Sequence, residues 1–249
     1  MSGALSLRAV ALAERIEPGD DLAAMIAQSC GPLDGTLVAV AHTVVSKAEG
    51  SIRDLRDVES GERAREIAAR HGRDPRVVQV ILDETEELIR DSGRVLVCLT
   101  RHGFVCANAG VDLSNAGASE RAVLLPANPD ASARALRARL AELTGERPAV
   151  MITDSFGRAW RHGQVDVAIG LAGMAPLDDW RGRHDREGRA LEATWLASAD
   201  AAAAAADLVR AKDSGEPVVL IEGLAAHFSA QDGPGARALL RARGEDLFR

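Results

Sequence analysis

The chain has no tyrosine, four phenylalanines and three tryptophans, so aromatic residues make up only 3% of it. Lysine is nearly missing too: among 30 basic residues only Lys47 and Lys212 are lysines, and asparagine occurs only at Asn108, Asn115 and Asn128. Three cysteines, an odd count, supply no disulfide framework. No stretch reaches the roughly 18 uninterrupted apolar residues of a membrane span. The N-terminus, Met1 to Arg15, lacks the basic start and long apolar core of a signal peptide, so a cytoplasmic location is expected. Neither GxGxxG nor GxxxxGK[ST] occurs, which excludes both standard phosphate loops. There is no proline- or serine-rich linker and no repeat at solenoid periods.

What remains is ordinary globular composition: 249 residues, 47% apolar and 27% charged. That length suits one large domain or two intimate lobes. The net charge of −7, with basic residues scattered rather than striped, argues against a nucleic-acid surface. Alanine is abundant, with an unbroken run from Ala201 to Ala206. Such a pattern fits a GC-rich genome, which drifts toward Arg and Ala wherever structure is indifferent. A lysine or asparagine that survives the drift therefore marks a position to inspect.

Short apolar strands alternate with amphipathic helices, which predicts a mixed α and β fold. The expected strands are Leu5 to Leu12, Thr36 to Ala41, Arg94 to Thr100, Arg121 to Leu125, Ala149 to Thr153, Val165 to Leu171 and Pro217 to Ile221. Expected helices are Asp21 to Ser29, Glu62 to His71, Pro75 to Arg90, Pro129 to Leu143, Ala199 to Lys212 and Gly235 to Arg243. Pro75 and Pro129 suit first-turn positions, where the missing N–H is not needed. The alanine run reads as a structural helix.

Four polar segments interrupt this rhythm. In Glu17 to Leu22, Asp20 or Asp21 is explained fully as a helix N-cap. In His42 to Gly50, directly after a strand, Lys47 is placed to meet phosphate as a point charge. A solvated site would tolerate arginine equally, so the surviving lysine favours function. In His102 to Asn115, the carboxylate, hydroxyl and amide oxygens of Asp112, Ser114 and Asn115 suit a hard cation such as Mg²⁺ or Mn²⁺. Cys98, His102 and Cys106 form a C-x3-H-x3-C array, but zinc would lack a fourth ligand. In Thr153 to Gly170, Asp154 and Ser155 offer two oxygen ligands, and Arg158, Arg161 and His162 follow as anion-binding groups. Carboxylates beside cationic forks are the usual apparatus of phosphoryl transfer. Lys212 has two readings, a dipole-complementing residue in a last helical turn or a functional cation.

Together these residues resemble one family in one order: Gly19-Asp20-Asp21-Leu22, Val44 to Gly50, Asp74-Pro75-Arg76, His102 to Asn115, Asp154 to Gly170 and the closing Gly244 to Arg249. The family is the coenzyme F-420-0:L-glutamate ligases, or F-420 gamma-glutamyl ligases, and the resemblance covers essentially the whole chain. It implies a GTP-dependent ligase that adds L-glutamate to coenzyme F-420-0 and then a second, γ-linked glutamate or a longer tail, releasing GDP and phosphate. It also implies two Mg²⁺ or Mn²⁺ ions, help from K⁺, and an intertwined homodimer with a family-specific α+β fold. Carried over by motif, Asp112 and Asp154 are ligands of a divalent ion and Ser155 binds a second, where the family often has Thr. Ala13, Glu14, Arg15, Ile16, His42, Thr43, Lys47, Asn115 and Lys212 fall at GTP-contacting positions. By their chemistry, Arg158 and Arg161 are expected on acyl oxygens or substrate phosphate. The chain departs from the pattern at His42, where Ser is common, at Glu222, where Arg is usual, and at Arg210-Ala211-Lys212, where a Lys/Met-Gly-Lys/Gln run is common. A single ligase unit over 1–249 is expected, without the C-terminal nitroreductase-like extension found in some relatives. The rival readings are a metal-dependent phosphatase or NTP hydrolase using the same aspartates, and a non-catalytic deazaflavin-binding module.

Overall fold

Leu37, Val38, Ala39 and Val40 are all fully buried, as a strand covered on both faces requires. They belong to a mixed α+β fold, described in a computed structural model over residues 4–13, 15–93, 95–113 and 120–247. In chain order its elements are β1 (Ser6–Val10), α1 (Leu22–Cys30), β2 (Thr36–Ala41), α2 (His42–Ala48), β3 (Ile52–Asp54), α3 (Glu62–His71), α4 (Pro75–Asp83) and β4 (Thr85–Asp91). There follow β5 (Leu96–Thr100), β6 (Val105–Ala107), β7 (Arg121–Val123), α5 (Pro129–Thr144), β8 (Ala149–Arg158), β9 (Arg161–Ala172), β10 (Asp178–Asp179), β11 (Trp195–Leu196), α6 (Ser198–Asp207) and β12 (Val218–Glu222).

The main sheet runs β1-β12-β2-β8-β9, and among the described residues its one parallel pair is β2 with β8. Alternate side chains of the central strands serve two layers. Val38, Val40, Val150 and Ile152 pack with residues of α1 and α5, whereas Leu37, Ala39 and Met151 pack with α6. Ala199, Ala202, Ala203 and Ala206 form the buried stripe of α6, so the alanine run is structural as expected. A second core, around Ile67, Val78, Ile81 and Leu96, gathers α3, α4 and the β4-β5-β6 sheet. The chain enters this region by β3 and returns by β7, which pair antiparallel.

Local chemistry accounts for several boundaries. Asp21 caps α1 by accepting from the Ala24 N–H at 3.1 Å. Asn128 caps α5 by accepting from Ala131, and Pro129 takes the first turn. Gly170 marks the closest approach of α5 to the sheet: a Cβ there would lie 2.3 Å from the Pro129 carbonyl oxygen. Gly170→Ala is expected to destabilise the fold by about 1–3 kcal/mol through overpacking, read as a lower urea midpoint with unchanged slope.

Four sequence expectations are corrected. The helix expected to run from Pro75 to Arg90 stops at Asp83, because Thr85–Asp91 is claimed by pairing with β5. The helix expected to reach Lys212 stops at Asp207, and 208–217 leaves it as turns. Gly235 to Arg243 is not an α-helix; a single 3-10 turn, Ala236–Leu239, is pinned by the Asp130 carboxylate on the Ala236 and Arg237 N–H groups. The polar stretch between the strands expected at Ala149 to Thr153 and Val165 to Leu171 is instead a long hairpin, β8 and β9 extending to Arg158 and Arg161. The strand start expected at Arg94 lies outside the described residues.

Candidate functional site

The parallel pair decides where the polar segments meet. Ala41 and Thr153 are the last register partners of the parallel β2–β8 pair, where β2 ends and β8 runs on, so the residues that follow them emerge side by side. His42 begins α2, while Asp154 and Ser155 continue β8. The His42 Nε2 lies 3.3 Å from Asp154 Oδ1, both side chains being largely buried. The Ser155 N–H donates to the same Oδ1 at 2.7 Å. His42 Nδ1 is buried without a hydrogen-bond partner among the described residues.

These groups open onto a cleft of about 550 Å³. Its walls carry Arg15 and Ile16 from the chain before α1, His42, Thr43 and Lys47 from α2, Asp112, Asp154 and Ser155, and Arg210 and Lys212 from the turns after α6. Both lysines of the chain thus line one cavity. Lys47 is half-buried, and burial followed by the nearby Arg15 lowers its pKa, while Asp112 and Glu17 act in the opposite sense. The backbone of Asp112 is fixed beside β7 by reciprocal hydrogen bonds with Val123, at 2.9 and 2.8 Å. Asn108 also lines the cleft, but its side-chain oxygen accepts from Arg73 at 3.0 Å and from the Leu96 N–H at 3.3 Å.

Other candidates fall elsewhere. Ala13 is exposed and is not among the residues lining the cleft. Arg158 and Arg161 face each other at the exposed end of the β8–β9 hairpin, away from the cleft lining, and Arg158 donates to the His162 carbonyl at 2.5 Å. Glu14, Ser114, Asn115, Phe248 and Arg249 lie outside the described residues. The C-x3-H-x3-C array does not converge. Cys98 and Cys106 are buried partners on β5 and β6, and His102 Nε2 contacts the Pro126 carbonyl at 3.0 Å. Burial raises the Cys106 thiol far above its ordinary pKa, with Asp154 adding to the effect.

The sequence reading missed Asp166 and Arg210. Asp166 is 2% exposed and accepts from the hydroxyls of Thr153 at 3.0 Å and Ser155 at 2.6 Å. Arg210 pairs with the same carboxylate, and the Lys212 ammonium donates to Ser155 Oγ. A detectable sign was an acid set inside the apolar strand Val165 to Leu171, where burial demands a partner.

Among the described residues, no three or more His, Cys, Asp or Glu side chains are grouped to hold a metal ion. The carboxylates lining the cleft are those of Asp112, Asp154, Asp166, Asp207 and Glu216; Asp112 and Asp154, with the Ser155 hydroxyl, are the oxygen donors that the motifs single out, and a lysine ammonium is already on that hydroxyl. Hard oxygens in small number fit an ion such as Mg²⁺, which completes its shell with water and substrate phosphate rather than a closed protein cage.

Oxygen donors and fixed cations sharing one cleft can hold an anionic ligand together with a hard metal ion. The chain belongs to the F420-0:Gamma-glutamyl ligase family, whose profile matches residues 12–223. It is 46% identical over 247 residues to a coenzyme F420:L-glutamate ligase of Methanopyrus kandleri, with 98% of each chain covered. A protein of the same name from Methanothermobacter thermautotrophicus is 45% identical over 237 residues, covering 93% of each. One from Archaeoglobus fulgidus is 46% identical over 211 residues, covering 84% of each. No described helix is long and apolar enough to cross a membrane.

Proposed function

We propose that the protein is a GTP-dependent ligase that joins L-glutamate to coenzyme F-420-0 and then adds a second glutamate through its γ-carboxylate. The observation that carries this reading is the meeting of Asp112, Asp154, Ser155, Lys47 and Lys212 in one cleft, in a chain matched over nearly its full length by ligases of that name.

A carboxylate is a poor acyl donor, because its leaving group would be oxide. The acceptor carboxylate oxygen therefore attacks the γ-phosphorus of GTP, the bond to the β-phosphate oxygen breaks, and GDP leaves. The glutamate amine then attacks the acyl carbon of the resulting acyl phosphate, loses a proton, and inorganic phosphate departs. Lys47 and Lys212 hold phosphate oxygens; Arg15, Ile16, His42 and Thr43 position the nucleotide beside them. Arg158 and Arg161, on the hairpin end, are assigned to the anionic groups of the acceptor. Asp112, Asp154 and Ser155 would hold Mg²⁺ or Mn²⁺, which neutralises phosphate charge when bound, with K⁺ as an auxiliary ion. Both close contacts to Asp154 fall on Oδ1, so Oδ2 is the oxygen assigned to the ion. Positioning and charge supply the catalysis, and no nucleophilic side chain is required.

The negative net charge does not oppose this, since three anionic substrates need a locally positive wall rather than a positive protein. The protein is assigned as a homodimer, which light scattering in solution will test. The enzyme is assigned to the cytoplasm.

The deciding experiment incubates the protein with F-420-0, GTP, L-glutamate and Mn²⁺. Mass spectrometry should find a product heavier by glutamyl units, with GDP formed in step. Phosphate release without glutamate would mark an NTP hydrolase; binding of F-420-0 without GTP consumption would mark a carrier.

A further inference from the structure

Asp166 is buried on β9, yet three donors from two different segments converge on it. Its Oδ1 accepts the Ser155 hydroxyl at 2.6 Å. Its Oδ2 accepts the Thr153 hydroxyl at 3.0 Å and pairs with Arg210. Arg210 in turn donates to Thr153 Oγ1 at 2.8 Å and to the Pro217 carbonyl at 3.1 Å.

A serine hydroxyl has one hydrogen and two acceptor lone pairs. With its hydrogen committed to Asp166, Ser155 presents lone pairs to the cleft, and the Lys212 ammonium accordingly donates to it. We propose that Asp166 is a positioning residue that holds Ser155 Oγ in the acceptor orientation needed by a divalent cation. Through Arg210 it also ties down the 208–217 turns that bring Lys212 to the same oxygen. The inference rests on Ser155 being an oxygen ligand of the ion. Outer contacts of this kind typically change metal affinity by about 10–100-fold.

The informative substitution is Asp166→Asn. Arg210 donates toward the Oδ2 side, so the amide oxygen belongs there and the amide NH₂ turns toward Ser155. The serine then accepts from the amide, and its own hydrogen points into the cleft, against a cation.

The test is a Mn²⁺ titration without nucleotide or acceptor, followed by the electron paramagnetic resonance of free Mn²⁺. It uses the wild-type protein, Ser155→Ala, Asp166→Asn and the double variant, each with its thermal midpoint measured. Both single variants are expected to bind Mn²⁺ about tenfold or more weakly, and the double variant no more weakly than Ser155→Ala. Wild-type affinity in Asp166→Asn alongside weakened Ser155→Ala overturns the positioning role and leaves the ligand reading standing. Additive losses in the double variant also overturn it, since Asp166 would then be a ligand itself. No Mn²⁺ binding by the wild type, or no loss in Ser155→Ala, overturns the ligand reading and the proposal with it. If Asp166→Asn does not fold, Asp166→Leu with Arg210→Met carries the test, because replacing both members of a buried ion pair by apolar groups is often tolerated.

Discussion

Asp154→Ala is expected to abolish glutamyl transfer, with kcat falling at least about 10²–10³-fold, the usual cost of losing one charge-stabilising group. Metal-dependent GTP binding should disappear with it, measured by calorimetry with and without Mn²⁺. The substitution removes a carboxylate from the carboxyl end of the parallel strand pair and strips His42 Nε2 of its neighbour at 3.3 Å. That second effect costs stability, on the order of 1–3 kcal/mol for an unsatisfied buried group. Asp154→Asn separates the two, since its amide oxygen can still accept from the Ser155 N–H and keep a polar group beside His42 while the charge is gone. Asn should be as inactive as Ala but nearer to wild type in thermal midpoint. Full activity in the alanine variant would overturn the assignment of Asp154.

Lys47→Arg is expected to lower kcat/KM for GTP about ten- to hundredfold, or about 1.4–2.7 kcal/mol, although the charge is kept. Lys47 is half-buried close to Arg15, and a planar guanidinium is wider than an ammonium and donates in a fixed fork. The pH dependence provides an independent reading. Burial and Arg15 lower the Lys47 pKa, and phosphate binding favours the protonated form. GTP affinity in the wild type should therefore weaken as pH rises through a value below the ordinary lysine range. In Lys47→Arg that limb should vanish, because a guanidinium stays charged. Wild-type kinetics in the variant would show that the retained lysine has no special role.

How much of this was legible in the sequence depends on the range of the interaction. Thr36–Ala41 and Glu62–His71 have the bounds that apolar runs and helix period predict, because local pattern and burial agree there. Thr85–Asp91 fits a helical period equally well; its pairing with β5 is non-local and wins. His42–Ala48 forms a helix straight from a strand with no side-chain cap to announce it. At the site, the scarcity of lysine drew attention to Lys47 and Lys212, and both line the cleft. The pairing of Asp166 with Arg210 is not legible locally, because it spans 44 positions and depends on α6 ending at Asp207. Within a helix expected to reach Lys212, Arg210 stands out only as a departure from the family pattern, with no partner indicated.

The pairing of β3 with β7 has a consequence for how such a protein can change over time. Asp54 and Arg121, where the described chain departs and returns, face each other on adjacent strands, and the Leu124 N–H closes the neck on the Ser51 carbonyl at 2.9 Å. Asp112 is stitched to that neck through Val123, while Asp154 is rooted in the main sheet. Chain can be lengthened or trimmed beyond the neck without altering the gap that it spans. The helices α3 and α4, whose residues do not line the cleft, can thus drift in length while the two aspartates keep their footing.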